Sequence, residues 1–247
     1  MKNNPPVKFN PADLGPKSHW GSGKGKFCAF DIGNVLVHST FPEFLKKLSK
    51  QLNITLEEAE YFMNRTQKLH DLGCTKMADE LRDHFKIRSS VTIDELIEEW
   101  KDVIKPDYFV LSWLDNLIKK HNLRVALVSN IGLEHAEQIG GLLSRLYDPK
   151  TNRWHDSSFG AAIKHFSCFV GASKPSLLYY QSFLQLYPEF KGCVYVDDLQ
   201  ENLDASKQFG FKTYRFALTE MDDWNFKAKM QGLEDFILAE PMVNVVK

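Results

Sequence analysis

In the stretch "FCAFDIGNVLVHST", residues 27 to 40, a short apolar run ends abruptly in a carboxylate, Asp31. Three other runs stop on polar residues: "RVALVSN" on Ser129-Asn130, "FSCFVG" before the segment Gly171 to Lys174, and "CVYVDD" on Asp197-Asp198. These residue types suit phosphoryl transfer, which needs positioning and charge neutralisation above all. A carboxylate can act as the nucleophile through an aspartyl-phosphate, the role open to Asp31. Such a nucleophile must be shielded from a phosphate dianion, and adjacent acids repel unless a cation sits there. Hard oxygen ligands around Mg²⁺ meet both needs. Asp31, Asp198, Asp197 and the backbone carbonyl of Gly33 are the candidate ligands. Lys174 would set a fixed positive charge on the phosphate. The Ser129 hydroxyl and nearby backbone amides would donate hydrogen bonds to its oxygens, and Asn130 beside it counts among the substrate-binding candidates. Asn202, one helical turn after Asp198, would orient the acids or a ligand water.

Asp31 and Asp198 are more than 160 positions apart, so the fold must bring them together. Residues 1 to about 25 hold four prolines, four glycines and few large apolar side chains, which reads as a loose arm. "GSGKGK" at 21–26 superficially resembles a phosphate-binding loop, but it precedes a strand and runs into Lys26-Phe27, the wrong context for one. From 41 to about 105 the pattern is helical only: Phe41, Phe44, Leu45, Leu48 and Leu52 recur at helical spacing, as do Met77, Leu81 and Phe85. Thr55 with Glu58, and Thr92 with Glu95, are capping-box signatures that open new helices. After that, strands and helices alternate. A helix at 112–120 leads into "RVALVSN"; then come "FSCFVG", a helix carrying Tyr180, Phe183, Leu184 and Tyr187, "CVYVDD", a helix closed by Gly210, and "KTYRFA". Short apolar strands separated by helices imply a parallel sheet covered on both faces. The expected fold is therefore α/β: a doubly wound, Rossmann-like parallel sheet with an inserted helical cap. The core is expected over 26–40 and 108–247, and the cap over 41–107. In such a sheet the carboxyl ends of the strands share one edge, where ligands bind.

The four polar strand ends, taken in order, resemble the motifs of the haloacid dehalogenase superfamily. "FCAFDIGNVLV" is similar to its first motif, "VALVSN" to the second, "GASKPSLLYY" to the third and "VYVDDLQENLDASKQFGF" to the fourth. The resemblance spans about 30–215, and "DIGNV" looks most like a branch of small-molecule phosphatases reading Asp-x-Gly-Asn-Val. It implies an Mg²⁺-dependent phosphatase of a small phosphorylated metabolite, in the sugar phosphate or nucleotide class. Most phosphatases of that superfamily carry a second Asp two residues after the nucleophile, which protonates the leaving alcohol; here that place is Gly33. The backbone carbonyl needed for the metal survives, but a general acid worth roughly 100- to 10,000-fold in rate does not. His38, His70, Asp71 and His84 are the candidates to replace it. A dehalogenase uses an Asp nucleophile without a second Asp, yet has no need of the acid pair at 197–198. A non-catalytic protein keeping the metal site is a third reading.

The bulk composition excludes other classes. The chain has 247 residues, a net charge of −1, 43% hydrophobic and 26% charged residues. It lacks the single-sign field that nucleic acid or an anionic membrane requires, and no apolar run is long enough to span a bilayer. Cys28, Cys74, Cys168 and Cys193 form neither a CxxC pair nor a metal spacing, so reduced thiols in a cytoplasmic protein are expected. The 131–165 segment, with Trp154 and His155, is expected to add a flap.

Overall fold

A computed structural model describes residues 24–148, 153–222, 224–240 and 243–244. In chain order the elements are β1 Lys24–Phe30, β2 Val37–Ser39, α1 Phe41–Leu52, α2 Leu56–Asp71, α3 Met77–Phe85, α4 Ser90–Lys101 and β3 Ile104–Pro106. There follow α5 Tyr108–His121, β4 Leu123–Ser129, α6 Leu133–Ser144, β5 Arg145–Asp148, β6 Arg153–Asp156, β7 Ile163–Phe166 and α7 Ser167–Val170. The chain continues with α8 Leu177–Leu186, β8 Val194–Asp197, α9 Gln200–Lys207, β9 Lys212–Arg215, α10 Phe226–Ala239 and β10 Val243–Asn244.

Five parallel strands form the sheet in the order β7-β4-β1-β8-β9, and β10 pairs antiparallel with the start of β1. Each central strand is apolar on both sides because both faces are covered. Cys28, Phe30, Val125, Leu127, Val194 and Val196 pack on one face against α5, α6 and α10. Phe27, Ala29, Ala126, Val128 and Tyr195 pack on the other, against α8 and α9. This is the expected doubly wound α/β architecture. The winding reverses around β1: the chain builds outward through β4 and β7, then crosses to β8 and β9. The crevice at the carboxyl ends of β1, β4 and β8 is the switch point.

Helices α1–α4 bury their own cluster, including Phe44, Phe62, Leu81, Ile93 and Trp100, apart from the two clusters of the sheet. Thr55 and Glu58 form the expected capping box at α2. The second expected box is displaced: α4 starts at Ser90, and the Ser89 side chain accepts from the Thr92 backbone N–H. Both chain passes into the helical insertion are paired, since β2 and β3 form an antiparallel ribbon with Val37 opposite Pro106 and Ser39 opposite Ile104.

Other expectations need correction. "FSCFVG" is not a strand: β7 lies upstream at Ile163–Phe166, and Ser167–Val170 is a helical turn closed by Gly171 at φ 67. The Ser167 hydroxyl accepts from Ile131 N and bonds to the Asp71 carbonyl, which draws the chain out of the sheet. Of the expected N-terminal arm, residues 1–23 lie outside the described residues, together with most of "GSGKGK", whereas Lys24 and Gly25 already belong to β1. The expected flap resolves into α6, the β5–β6 hairpin and β7; the hairpin packs on α5, with Leu146 in the core cluster. All four cysteines are free thiols. No helix among the described residues is long and apolar enough to cross a membrane.

Candidate active site

Asp31 sits directly after β1, and its backbone N–H continues the sheet ladder to the Val196 carbonyl at 2.8 Å. The chain then folds back in a tight loop, with Leu36 N and Val37 N both donating to Ile32 O, and Asn34 in the left-handed region at φ 53. This loop carries Gly33 to the lip of the crevice. A Cβ built on Gly33 would meet only Ser39 Oγ, at 3.4 Å, and the backbone there is not left-handed. Neither strain nor close packing demands glycine at this position. Its consequence is that no side chain projects at the place two residues after Asp31.

Lys174 is buried between two acids, with Nζ 2.9 Å from Asp31 Oδ1 and 2.7 Å from Asp197 Oδ2. Asp197 is fully buried, and both its oxygens are engaged: Oδ2 by Lys174 and the Tyr195 hydroxyl, Oδ1 by Leu199 N at 2.9 Å and Asn202 Nδ2 at 3.0 Å. Burial works against the charge on both partners. The Asp197 and Asp31 carboxylates nevertheless hold Lys174 above the ordinary lysine range, and Lys174 keeps Asp197 below the ordinary carboxylate range. Asp31 fares differently. Burial raises it, the charges of Asp197 and Asp198 add to this, and Lys174 offsets only part, leaving the carboxyl at about 7. Asp198 is likewise raised, by burial and by Asp197, while Asn34 Nδ2 donates to it at 3.3 Å.

Carboxylate oxygens of Asp31, Asp197 and Asp198 lie within 4.8 Å of one another. One ammonium does not neutralise three acids at that spacing, and hard oxygen donors so placed fit a divalent cation such as Mg²⁺. Asp197, expected among the ligands, is one of the three acids of this cluster; its oxygens also accept from Lys174, Tyr195, Leu199 N and Asn202, while Asp31 and Asp198 line the crevice. Asn202, expected in a supporting role, donates from Nδ2 to Asp197; it lines the crevice, and its buried Oδ1 has no hydrogen-bond partner among the described residues.

Ser129, 4% exposed, closes β4 and lines the crevice. Asn130, expected to bind substrate, also lines the crevice and fixes the lysine: its Nδ2 donates to Lys174 O and its Oδ1 accepts from Lys174 N, both at 2.8 Å. Both ends of the amide are thereby spent on the backbone that carries Lys174.

The insertion supplies the opposite wall through Phe41, Gln67, Asp71 and Trp100, enclosing a cavity of about 250 Å³. A second cavity of about 580 Å³ adjoins it between α2 and the 171–176 loop, sharing Gln67, Asp71, Asn130 and Lys174. Of the four candidates to replace an acid at position 33, only Asp71 lines the crevice. His38 is exposed and pairs with Asp107 at 3.0 Å, and His84 packs against Phe62 and Phe85 inside the insertion. His70 is buried behind Asp71. Pattern reading missed Trp100, Gln67 and His135 at the crevice, because each shares its spacing with core positions of its helix.

No family model and no curated relative matches the sequence. Solved structures do. A HAD family enzyme from Bacteroides thetaiotaomicron superposes with TM-score 0.63 at 19% identity, over 83% of this chain and 99% of that one. A variant of it in complex with magnesium and inorganic phosphate gives TM-score 0.61 at 18% identity, over 82% and 99%. A HAD-like family hydrolase from Porphyromonas gingivalis gives 0.60 at 17% identity, over 85% and 98%, and a dehalogenase 0.50 at 16%, over 77% and 84%. The sheet order, the strand-end crevice and these superpositions together show that the chain has the fold of the HAD family of hydrolases.

Proposed function

We propose that this protein is an Mg²⁺-dependent phosphatase of small phosphate esters that works through an aspartyl-phosphate on Asp31. The observation that carries the reading is the acid cluster of Asp31, Asp197 and Asp198 around Lys174. Asp31 and Asp198, with the Gly33 carbonyl, would hold the cation, which when bound supplies the positive charge that the cluster lacks. An oxygen of Asp31 attacks phosphorus as the bond to the leaving oxygen breaks. Lys174 Nζ neutralises the phosphoryl oxygens, and Ser129 Oγ donates to one of them. Asp197, Tyr195 and Asn202 keep Lys174 aimed, and Phe41 and Trp100 exclude water from the crevice. Support for a phosphoryl rather than a halide substrate comes from the acid cluster, for which a dehalogenase has no use, and from the likeness to an enzyme solved with magnesium and inorganic phosphate. A sugar phosphate or nucleotide in the cytoplasm, without a nucleic-acid or membrane partner, is the proposed substrate setting. The helical insertion is proposed as the cap that selects the leaving group. The test is phosphate release from a panel of phosphorylated metabolites with Mg²⁺ and with excess chelator, alongside halide release from 2-haloacids. Halide release, or phosphate release undiminished by chelator, would reject the proposal.

A further inference from the structure

His70 sits in the last turn of α2, is fully buried, and lies edge-on to the Trp100 ring. Its Nε2 meets Glu134 Oε2 at 2.7 Å across the junction between insertion and sheet core. Its Nδ1 makes no hydrogen bond among the described residues and faces Asp71 Oδ1 at 3.8 Å. Glu134 is itself fixed, since its other oxygen accepts from Met77 N at 2.9 Å. The ring rests on Gly132, where a Cβ would come within 1.8 Å of it. A carboxylate, an imidazole and a second carboxylate thus form a row that ends on the crevice wall, at Asp71. Burial opposes the imidazolium, but Asp71 and Glu134 outweigh it and bring His70 up to about 9. The neighbouring His135, with ring centroids 6.3 Å apart, is kept neutral at about 4 by burial, and Cys168 near Asp71 is pushed up to about 12. His70 is therefore the cation of the row at neutral pH.

We propose that Asp71 is the acid–base residue that serves the position left empty at Gly33, with His70 and Glu134 as the positioning pair that supplies and holds its proton. The proposal rests on the phosphatase reading above. As Asp31 bonds to phosphorus, the ester P–O bond breaks and its electron pair goes to the leaving oxygen. The proton leaves His70 Nδ1 for the Asp71 carboxylate, which delivers it to that oxygen and is left again as a carboxylate beside a neutral ring. In the second half, water bonds to phosphorus and releases Asp31. The water's proton goes to Asp71 and returns to His70, so the cycle closes on alcohol and hydrogen phosphate. The 3.8 Å separation suits a contact that shortens when substrate fills the crevice.

The test measures kcat/KM for aryl phosphates with acidic leaving groups and for alkyl phosphates, with Mg²⁺, in wild type, Asp71→Asn, His70→Gln and Glu134→Gln. Asp71→Asn should lower the alkyl values roughly 100-fold or more and the aryl values less than about threefold, since a phenolate leaves without a proton. The alkaline limb of the alkyl pH profile, near 9 in the wild type, should move to lower pH in Glu134→Gln, which a purely structural role would not cause. His70→Gln adds a control through its melting temperature, and Asp71→Asn keeps the proposal testable if that variant does not fold. Equal losses on aryl and alkyl esters in Asp71→Asn, or an unmoved limb in Glu134→Gln, would overturn the assignment while leaving the phosphatase reading intact. A wild type that hydrolyses no phosphate ester would overturn both.

Discussion

Replacing Glu134 with Gln removes one of the two carboxylates that keep the buried His70 imidazole protonated, and its effect on stability can be worked from the geometry. His70 lies at about 9 against 6.5 for an unstrained histidine, and each unit is worth about 1.4 kcal/mol. The two acids and the protonated ring thus contribute on the order of 3 kcal/mol. Because the folded-state pKa is the higher one, this contribution is complete below about pH 6.5 and disappears as pH rises through 9. Asp71 and Glu134 both raise the ring, and Glu134, at 2.7 Å against 3.8 Å for Asp71, carries about half of it. Glu134→Gln should therefore cost about 2 kcal/mol at pH 6, and much less at pH 10 where the ring is neutral in both proteins. With an unfolding entropy near 2 cal/mol/K per residue, this chain should lose roughly 4 °C in melting temperature at pH 6. Gln can still accept from Met77 N, so that bond is common to both proteins. Calorimetric melting at the two pH values at fixed ionic strength makes the measurement. An equal drop at pH 6 and pH 10 would show that Glu134 acts only through shape and refute the charge reasoning.

Other expectations follow from the same structure. Asp31→Asn should abolish phosphate release yet melt no lower than wild type, because it removes one of three crowded acids; wild-type turnover would reject the covalent route. Mg²⁺ at about 100 times its Kd should stabilise the wild type by roughly 2.7 kcal/mol, and Asp198→Asn should lose most of that shift in a thermal titration. Gly33→Asp should fold normally, since a Cβ there meets only Ser39 Oγ at 3.4 Å among the described residues, and in an Asp71→Asn background it should accelerate alkyl more than aryl esters in a kcat/KM comparison. Gly132→Ala, in contrast, drives a Cβ into the His70 ring and should destabilise by about 1–3 kcal/mol or more in urea unfolding.

The strand-end residues were legible because both their signals are local: an apolar run and the polar residue that ends it. Asp31, Ser129 and Asp197 stand at or just after strand ends, and Asp198 follows, as the pattern predicts. β7 was misplaced because Lys164 and His165 interrupt its apolar character; His165 is buried against Tyr179 and Phe183, which only tertiary packing provides. The apolar "SCFV" beside it reads as strand, yet it turns helical where Ser167 bonds across to Ile131 and Asp71. Asn130 and Asp197 were legible as polar strand ends, but their partners inside the protein were not. Which partner each would satisfy depends on Lys174 arriving from more than 20 residues away. The choice among His38, His70, Asp71 and His84 was illegible for the same reason: it depends on how α2 docks against the 131–134 loop.

The β2–β3 ribbon has a further consequence, for the order in which the chain assembles. The central pairing of the sheet joins Lys26 to Leu123, partners separated by nearly 100 residues. Closing so long a loop directly is slow, since its entropy must be lost before any contact compensates. The insertion forms its own apolar cluster from local helices, and the ribbon at its base brings His38 opposite Lys105. Once that knot of helices has formed, the chain still to be closed between β1 and β4 shrinks to roughly 30 residues, lowering the closure cost by about 1 kcal/mol. The inserted helices thus act as a local nucleus that shortens the search for the sheet, and destabilising Phe44 or Phe62 should slow folding of the strands they never touch.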